Sequence, residues 1–204
     1  MTAPAARRRA VALLLFDDVE VLDFAGPFEF FAVTDELSGG TTFNVFTVGV
    51  TPGSIRARNG LKVVPDFTPE TAPAADILIV PGGAGTRPLL RQPSLLEWVA
   101  HRARQAEVVL SVCTGSLVLA RIGLLDGLTA TTHHENLSDL ASLAPTAIVD
   151  GSKRFHDHGH IVTAAGISAG IDASLHLVGR LLGVDAATRT AVYMEYGDHA
   201  FGDL

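Results

Sequence analysis

The chain has 204 residues, 48% of them hydrophobic and 18% charged, which supplies one sizeable core and suits one domain better than two. Its formal net charge of −7 speaks against a surface built to neutralise phosphates, so nucleic acid is not an expected partner. RRRAVALLLF at the start resembles a secretory signal only superficially. The apolar run is short, Asp17, Asp18 and Glu20 follow, and no small-residue cleavage site does, so a cytoplasmic protein is expected, with residues 1–9 a solvated, flexible tail. No segment reaches the roughly 18 consecutive apolar residues of a membrane span.

From the N-terminus, AVALLLF (10–16) predicts a strand buried on both faces, and GPFEFFAVTDEL (26–37) a helix with Pro27 in its first turn. TTFNVFTVGV (41–50) predicts a strand, and Asn59-Gly60 the turn of a small hairpin. DILIVPGG (76–83) is a short apolar strand ending in Pro and Gly. SLLEWVAHRARQA (94–106) is an amphipathic helix with Ser94 at its N-cap. EVVLSV (107–112) is the next strand, running into Cys113 and a helix over 114–125 stopped by Asp126-Gly127. LTATTH (128–133) predicts a strand, 135–144 a helix, 147–166 two or three short strands, and 167–183 and 185–197 the closing helices. There is no repeat and no linker. This alternation predicts an α/β fold, a doubly wound, mostly parallel sheet with helices on both faces. In such a sheet ligands bind at the carboxyl ends of the strands, where Cys113, Pro81-Gly82-Gly83 and His133 all fall.

Cys113 is the single cysteine, so it forms no intramolecular disulfide and is either a small core filler or a reactive thiol. A residue that ends a buried strand and opens a helix is pushed out at the top of the sheet, as in a nucleophile elbow, and Gly115 and Ser116 leave room for it. A helix N-terminus there is expected to lower the thiol pKa. In PGGAG (81–85), the amides of Gly82 and Gly83 are candidates, with that of Thr114, for an oxyanion hole; as a nucleotide site the segment lacks the G-x-G-x-x-G spacing. Asp23, in VLDFAGP, is either a helix cap or a functional carboxylate at the same sheet edge.

SVCTGSLVLARIGLLDG, with LDFAGPFE, ILIVPGGAG, ATTHHENLSDL and GISAGIDASLHLVGRLLG, resembles the ThiJ/PfpI superfamily of class I glutamine-amidotransferase-like proteins, in collinear order from about Val11 to Tyr196. Within it the chain is most similar to the isocyanide hydratases. The resemblance implies a flavodoxin-like sandwich and a homodimer. It also implies Cys113 as nucleophile, followed by Thr114 where the peptidase and deglycase members carry His, and Asp23 as its acid/base partner. The implied reaction hydrates an isocyanide to an N-substituted formamide through a thioimidate on Cys113, with no cofactor.

Other readings stay open. Similar domains form the N-terminal half of AraC-type regulators, which makes a ligand-sensing module the second reading; a cysteine-dependent peptidase or amidase is the third. His133 is either a pocket residue or a satisfied structural histidine. His156, His158 and His160 have i, i+2 spacing, but Gly159 interrupts them and no acidic or Cys ligand is clearly arranged with them, so no metal is expected. Among Phe24, Phe28, Phe30 and Phe31 most are core, with one a candidate wall for an apolar substituent pocket. The tail YGDHAFGDL (196–204) lacks periodicity and is a candidate for ordering by a partner subunit.

Overall fold

The computed structural model describes residues 7–197. Its first strand, β1 (Arg9–Leu15), begins at the last arginine of the basic triplet, which corrects the reading of residues 1–9 as a solvated tail over the part described. Each arginine has a carboxylate. Arg7 pairs with Asp76, Arg8 with Asp35, and Arg9 with Glu107 at 2.8 Å, so the triplet ties the start of β1 to three later segments.

Helix α1 (Val21–Leu37) starts five residues before the sequence placed it. Pro27 therefore lies inside it, where its ring removes the N–H that would have met the carbonyl of Asp23. Then follow β2 (Phe43–Gly49), the hairpin of β3 (Ile55–Arg56) and β4 (Lys62–Val63), and β5 (Ile77–Val80). The hairpin turn holds Asn59 at φ 62°, as Asn-Gly suggested. After a short helix α2 (Thr86–Leu89) comes α3 (Pro93–Gln105). Pro93 opens α3 and Gln92 precedes it, so Ser94 is inside the helix and does not cap it.

The remaining elements are β6 (Val108–Val112), α4 (Gly115–Arg121), β7 (Thr129–Ala130), α5 (Leu137–Leu143), β8 (Ile148–Val149), β9 (Phe155–Asp157), β10 (Ile161–Ala164), α6 (Ala169–Leu182) and α7 (Val184–Tyr193). The strand expected over 128–133 shrinks to β7, which pairs in parallel with β8 outside the main sheet.

The six-stranded sheet has the order β2-β1-β5-β6-β10-β9, parallel except for the antiparallel edge strand β9. This is the flavodoxin-like arrangement, in which the chain steps outward from β1 in one direction to β2 and in the other to β5. Right-handed crossovers then place α1 and α3 on opposite faces. Helices α1, α6 and α7 pack together on one of them, and α4 meets α2 and α5 on the other. With both faces covered, Val11, Leu13, Ile77, Ile79, Val108 and Leu110 are fully buried, which is why β1, β5 and β6 read as continuous apolar runs.

Candidate active site

The ends of β1, β5, β6 and β10 converge at the switch point of the sheet, and the loops leaving them carry the site. Cys113 follows β6 directly, buried and in the left-handed conformation (φ 55°). Such a φ is strained for a residue with a Cβ, and the surroundings hold it. Its N–H donates to the carbonyls of Ala164 and Ala165, at 3.1 and 3.0 Å, and its carbonyl accepts from the hydroxyls of Ser116 (3.1 Å) and Thr132 (2.9 Å). Gly115 is required for the turn, because a Cβ there would sit 2.0 Å from the carbonyl oxygen of Val80.

Asp23 comes from the first turn of α1 and is fully buried. It does not cap the helix. Its Oδ2 instead accepts the N–H of Gly82 at 3.0 Å, across the switch point. Its Oδ1 has no well-formed hydrogen bond, and the Cys113 thiol lies near enough to the carboxyl to act on its titration. A buried polar atom without a partner costs roughly 1–3 kcal/mol, the kind of expense folds keep at functional sites.

Burial pushes the Asp23 carboxyl up to about 7; the Gly82 amide opposes this, and the charge of Glu20 adds to it. Burial also pushes the Cys113 thiol up, to about 12, with the Asp23 charge adding to it and the amides of Thr114 and Ile167 opposing it. The expected lowering of the thiol by the helix N-terminus is therefore overturned: burial beside a carboxylate outweighs two amides and a helix of seven residues. The two groups titrate as one unit, and once the first proton has left, above about pH 7, the pair holds one proton and one negative charge.

Two tautomers share that charge. Carboxylate with thiol is favoured by the Gly82 amide, and carboxyl with thiolate by the amides of Thr114 and Ile167. Ile167, the first residue after Gly166, is a position the sequence did not single out, as are Glu20, Arg58, Arg87, Glu135 and Asn136 of the cavity at the sulfur. Ile167 is β-branched yet held at φ 51°, which no residue pattern announces, and its N–H faces the sulfur.

The oxyanion reading of the glycine turn is corrected. Gly82 N–H holds Asp23, and Gly83 N–H donates to the Thr114 hydroxyl at 3.0 Å, so neither is free. What needs glycine at position 82 is the approach of the turn to the elbow: a Cβ there would lie 2.5 Å from the Thr114 nitrogen and 2.8 Å from the Cys113 Cβ.

A cavity of about 450 Å³ opens at the sulfur, lined by Cys113, Thr114, Gly83 and Ile167 and by the polar side chains of Glu20, Arg58, Arg87, His133, Glu135 and Asn136. His133 is in the cavity although it ends no strand of the main sheet. Its Nδ1 accepts the N–H of Glu135 at 3.3 Å, and Gly166 packs on its ring, so it forms a wall of the site. Arg58 is brought in by the hairpin turn and pairs with Glu20 at 2.8 Å; Arg87 pairs with Asp139 at 2.9 Å. None of the four phenylalanines after Asp23 lines the cavity. Phe24, Phe30 and Phe31 are buried in the core, and Phe28 packs against it.

The three alternate-spaced histidines diverge. His156 Nε2 lies 3.3 Å from the Asp150 carbonyl, His158 Nε2 2.8 Å from that of Thr129, and His160 Nδ1 3.4 Å from that of Glu107. Among the described residues no cluster of His, Cys, Asp or Glu has metal-binding geometry.

Sheet order, strained elbow and buried carboxyl–thiol pair together define a flavodoxin-like α/β protein of the cysteine-elbow class. The DJ-1/PfpI family model matches residues 9–180, and the chain belongs to that family. It is 37% identical over 186 residues to an isonitrile hydratase from Pseudomonas putida, covering 91% of this chain and 78% of the relative. It is also 31% identical over 172 residues to the HTH-type transcriptional regulator GbdR of Pseudomonas aeruginosa, spanning 84% of this chain and less than half, 46%, of the regulator. A crystal structure of a ThiJ/PfpI family protein from Pseudomonas syringae superposes with a TM-score of 0.84 at 29% identity, over 95% of this chain and 77% of that one.

Proposed function

We propose that this protein hydrates isocyanides, with Cys113 as nucleophile and Asp23 as general acid and base. The observation that carries the reading is the buried Asp23 carboxyl, with one oxygen held by Gly82 and the other unpartnered beside the only thiol. The 37% identity to an isonitrile hydratase supports it.

The reaction starts from the tautomer with thiolate and carboxylic acid. Sulfur bonds to the terminal carbon of R–N≡C while the Asp23 proton passes to that carbon, giving the thioimidate Cys–S–CH=N–R and a carboxylate. The carboxylate takes a proton from water as its oxygen adds to the carbon, and passes it to nitrogen. It then accepts the hydroxyl proton as C=O forms and the C–S bond breaks, which releases R–NH–CHO and restores the one-proton pair. Every proton moves through Asp23.

The peptidase-like reading has less support. Thr114 follows the cysteine, and the Nδ1 of His133 is taken by the Glu135 amide. The sensor reading draws on the likeness to GbdR; a sensor would bind its ligand without turnover.

The test is formamide production from simple alkyl and aryl isocyanides. Wild type should turn over, Cys113→Ala should be inactive, and Asp23→Asn should lose about 100-fold or more, within the range of a removed acid/base. Because the pair must hold a single proton, kcat/KM should rise with pH through about 7, where the first proton leaves, and then level. Binding of isocyanides without turnover, with Cys113 still alkylated readily, would favour the sensor.

The function proposed includes a homodimer. Its support is the exposed apolar side chains of Val184, Val192 and Tyr193 on and beside α7. Most of the tail expected to order against a partner, residues 198–204, lies outside the described residues. No described helix is long and apolar enough to cross a membrane.

A further inference from the structure

The Ile167 amide faces the Cys113 sulfur, and Ile167 stands in left-handed backbone at φ 51°, so whatever holds that residue acts on the thiol. From inside, the Ala165 carbonyl accepts the Cys113 N–H at 3.0 Å, and Gly166 is wedged against the His133 ring. From outside, one residue grips the segment at both ends. The Arg154 carbonyl accepts the Ala165 N–H at 2.8 Å, and the Arg154 guanidinium donates to the Ser168 hydroxyl at 3.1 Å and to the Asp172 carboxylate in the first turn of α6. Asp172 is braced in turn by the Tyr196 hydroxyl, whose ring packs edge-on against Phe30 of α1, with centroids 5.2 Å apart.

We propose that Arg154 is a positioning residue: by spanning Ser168 and Asp172 it holds Ile167 in its left-handed conformation, with the backbone N–H on the Cys113 sulfur. Without the span, Ile167 relaxes toward ordinary φ, because left-handed backbone is costly for a β-branched residue. Its N–H then turns off the sulfur, and the shared charge moves from sulfur to the Asp23 carboxylate. A guanidinium suits this work because its planar fork serves two acceptors at once, which an ammonium does less well.

The proposal rests on Cys113 being the nucleophile and not on what the substrate is. Its test is the rate constant for alkylation of Cys113 by iodoacetamide from pH 5 to 10. The charged and titratable groups about Cys113 are Asp23, Glu20, Arg58, Arg87, His133 and Glu135, and none of them is substituted in any variant. Arg154→Ala should alkylate about tenfold more slowly at neutral pH, the loss expected for one hydrogen bond to a charged group, with the rise of the profile moved to higher pH. Arg180→Ala, which removes another α6 arginine bound to Asp157 at 2.6 Å, should follow the wild type. A profile for folded Arg154→Ala that superposes on wild type, or an equal shift in Arg180→Ala, would overturn the proposal. If Arg154→Ala does not fold, Ser168→Ala removes one grip and should shift the profile in the same direction; a flat result there overturns it as well. Absence of isocyanide turnover together with the alkylation shift would sink the hydratase reading and leave Arg154 in its role.

Discussion

Asp23 is where chemistry and stability conflict. Its carboxyl ionises at about 7 in the fold and at an ordinary 3.8 in the open chain, so protonation favours folding. With a raised folded value, the favourable contribution is complete below 3.8 and is lost as pH rises to about 7. The difference corresponds to about 4 kcal/mol, an order-of-magnitude figure. Asp23→Asn keeps an acceptor for the Gly82 amide and cannot ionise. Urea unfolding should therefore show the variant gaining on wild type between pH 4 and 7 and levelling above. A difference independent of pH would mean that Asp23 is not held protonated by its burial. That such a carboxyl persists argues for use, since an asparagine would be the more stable choice at neutral pH. Asp23 and Cys113 were both legible as residues: one acid before a helix, one thiol after an apolar strand. Their mutual effect was not, because desolvation depends on what covers them.

Among the elements, β1 shows how polar groups at the sheet margin set register. Asp35, at the end of α1, accepts the backbone N–H groups of Thr42 and Phe43, each at 2.9 Å, and the guanidinium of Arg8. Burial opposes its charge, but the amides of Phe43 and Thr42 and the Arg8 guanidinium together hold its carboxyl below the usual range. Arg8 also donates to the Phe43 carbonyl at 2.9 Å, so one carboxylate joins α1, the entry to β1 and the start of β2. Asp35→Ala leaves one buried and one part-buried amide unpaired and should cost about 2–4 kcal/mol in chemical denaturation. Arg8→Ala, which removes a half-exposed partner, should cost less than half of that. Equal losses would show that the ion pair, and not the amide bonds, holds the junction. The start of α1 was missed for a related reason. Gly26-Pro27 reads as a helix opening by local rules, but the buried face contributed by Phe24 and the anchoring of Asp23 on Gly82 extend the helix through it.

On the scale of the whole molecule, a sheet wrapped on both faces leaves its working surface at the strand ends, where segments from residues 20, 58, 83, 113, 133 and 167 meet round one cavity. A homodimer predicts twice the chain mass in light scattering; replacing Val184 and Val192 by Lys should yield the monomer if α7 forms the contact, and an unchanged dimer would place the interface elsewhere. The sequence by itself determined the α/β class, the mostly parallel sheet, the elbow at Cys113 and the turn at Asn59-Gly60. Each of these is written in local signals: apolar runs, glycine spacing and turn residues. Tertiary structure alone decided that Arg8 and Arg9 are tied down where β1 begins, that the Gly82 and Gly83 amides serve Asp23 and Thr114, that the cavity at Cys113 is lined by Arg58, Arg87 and Glu135 rather than phenylalanine, and that Ile167 is bent against its preference. These depend on which distant segments of the chain meet, and on how deeply the meeting buries a charge, quantities that no window of neighbouring residues contains.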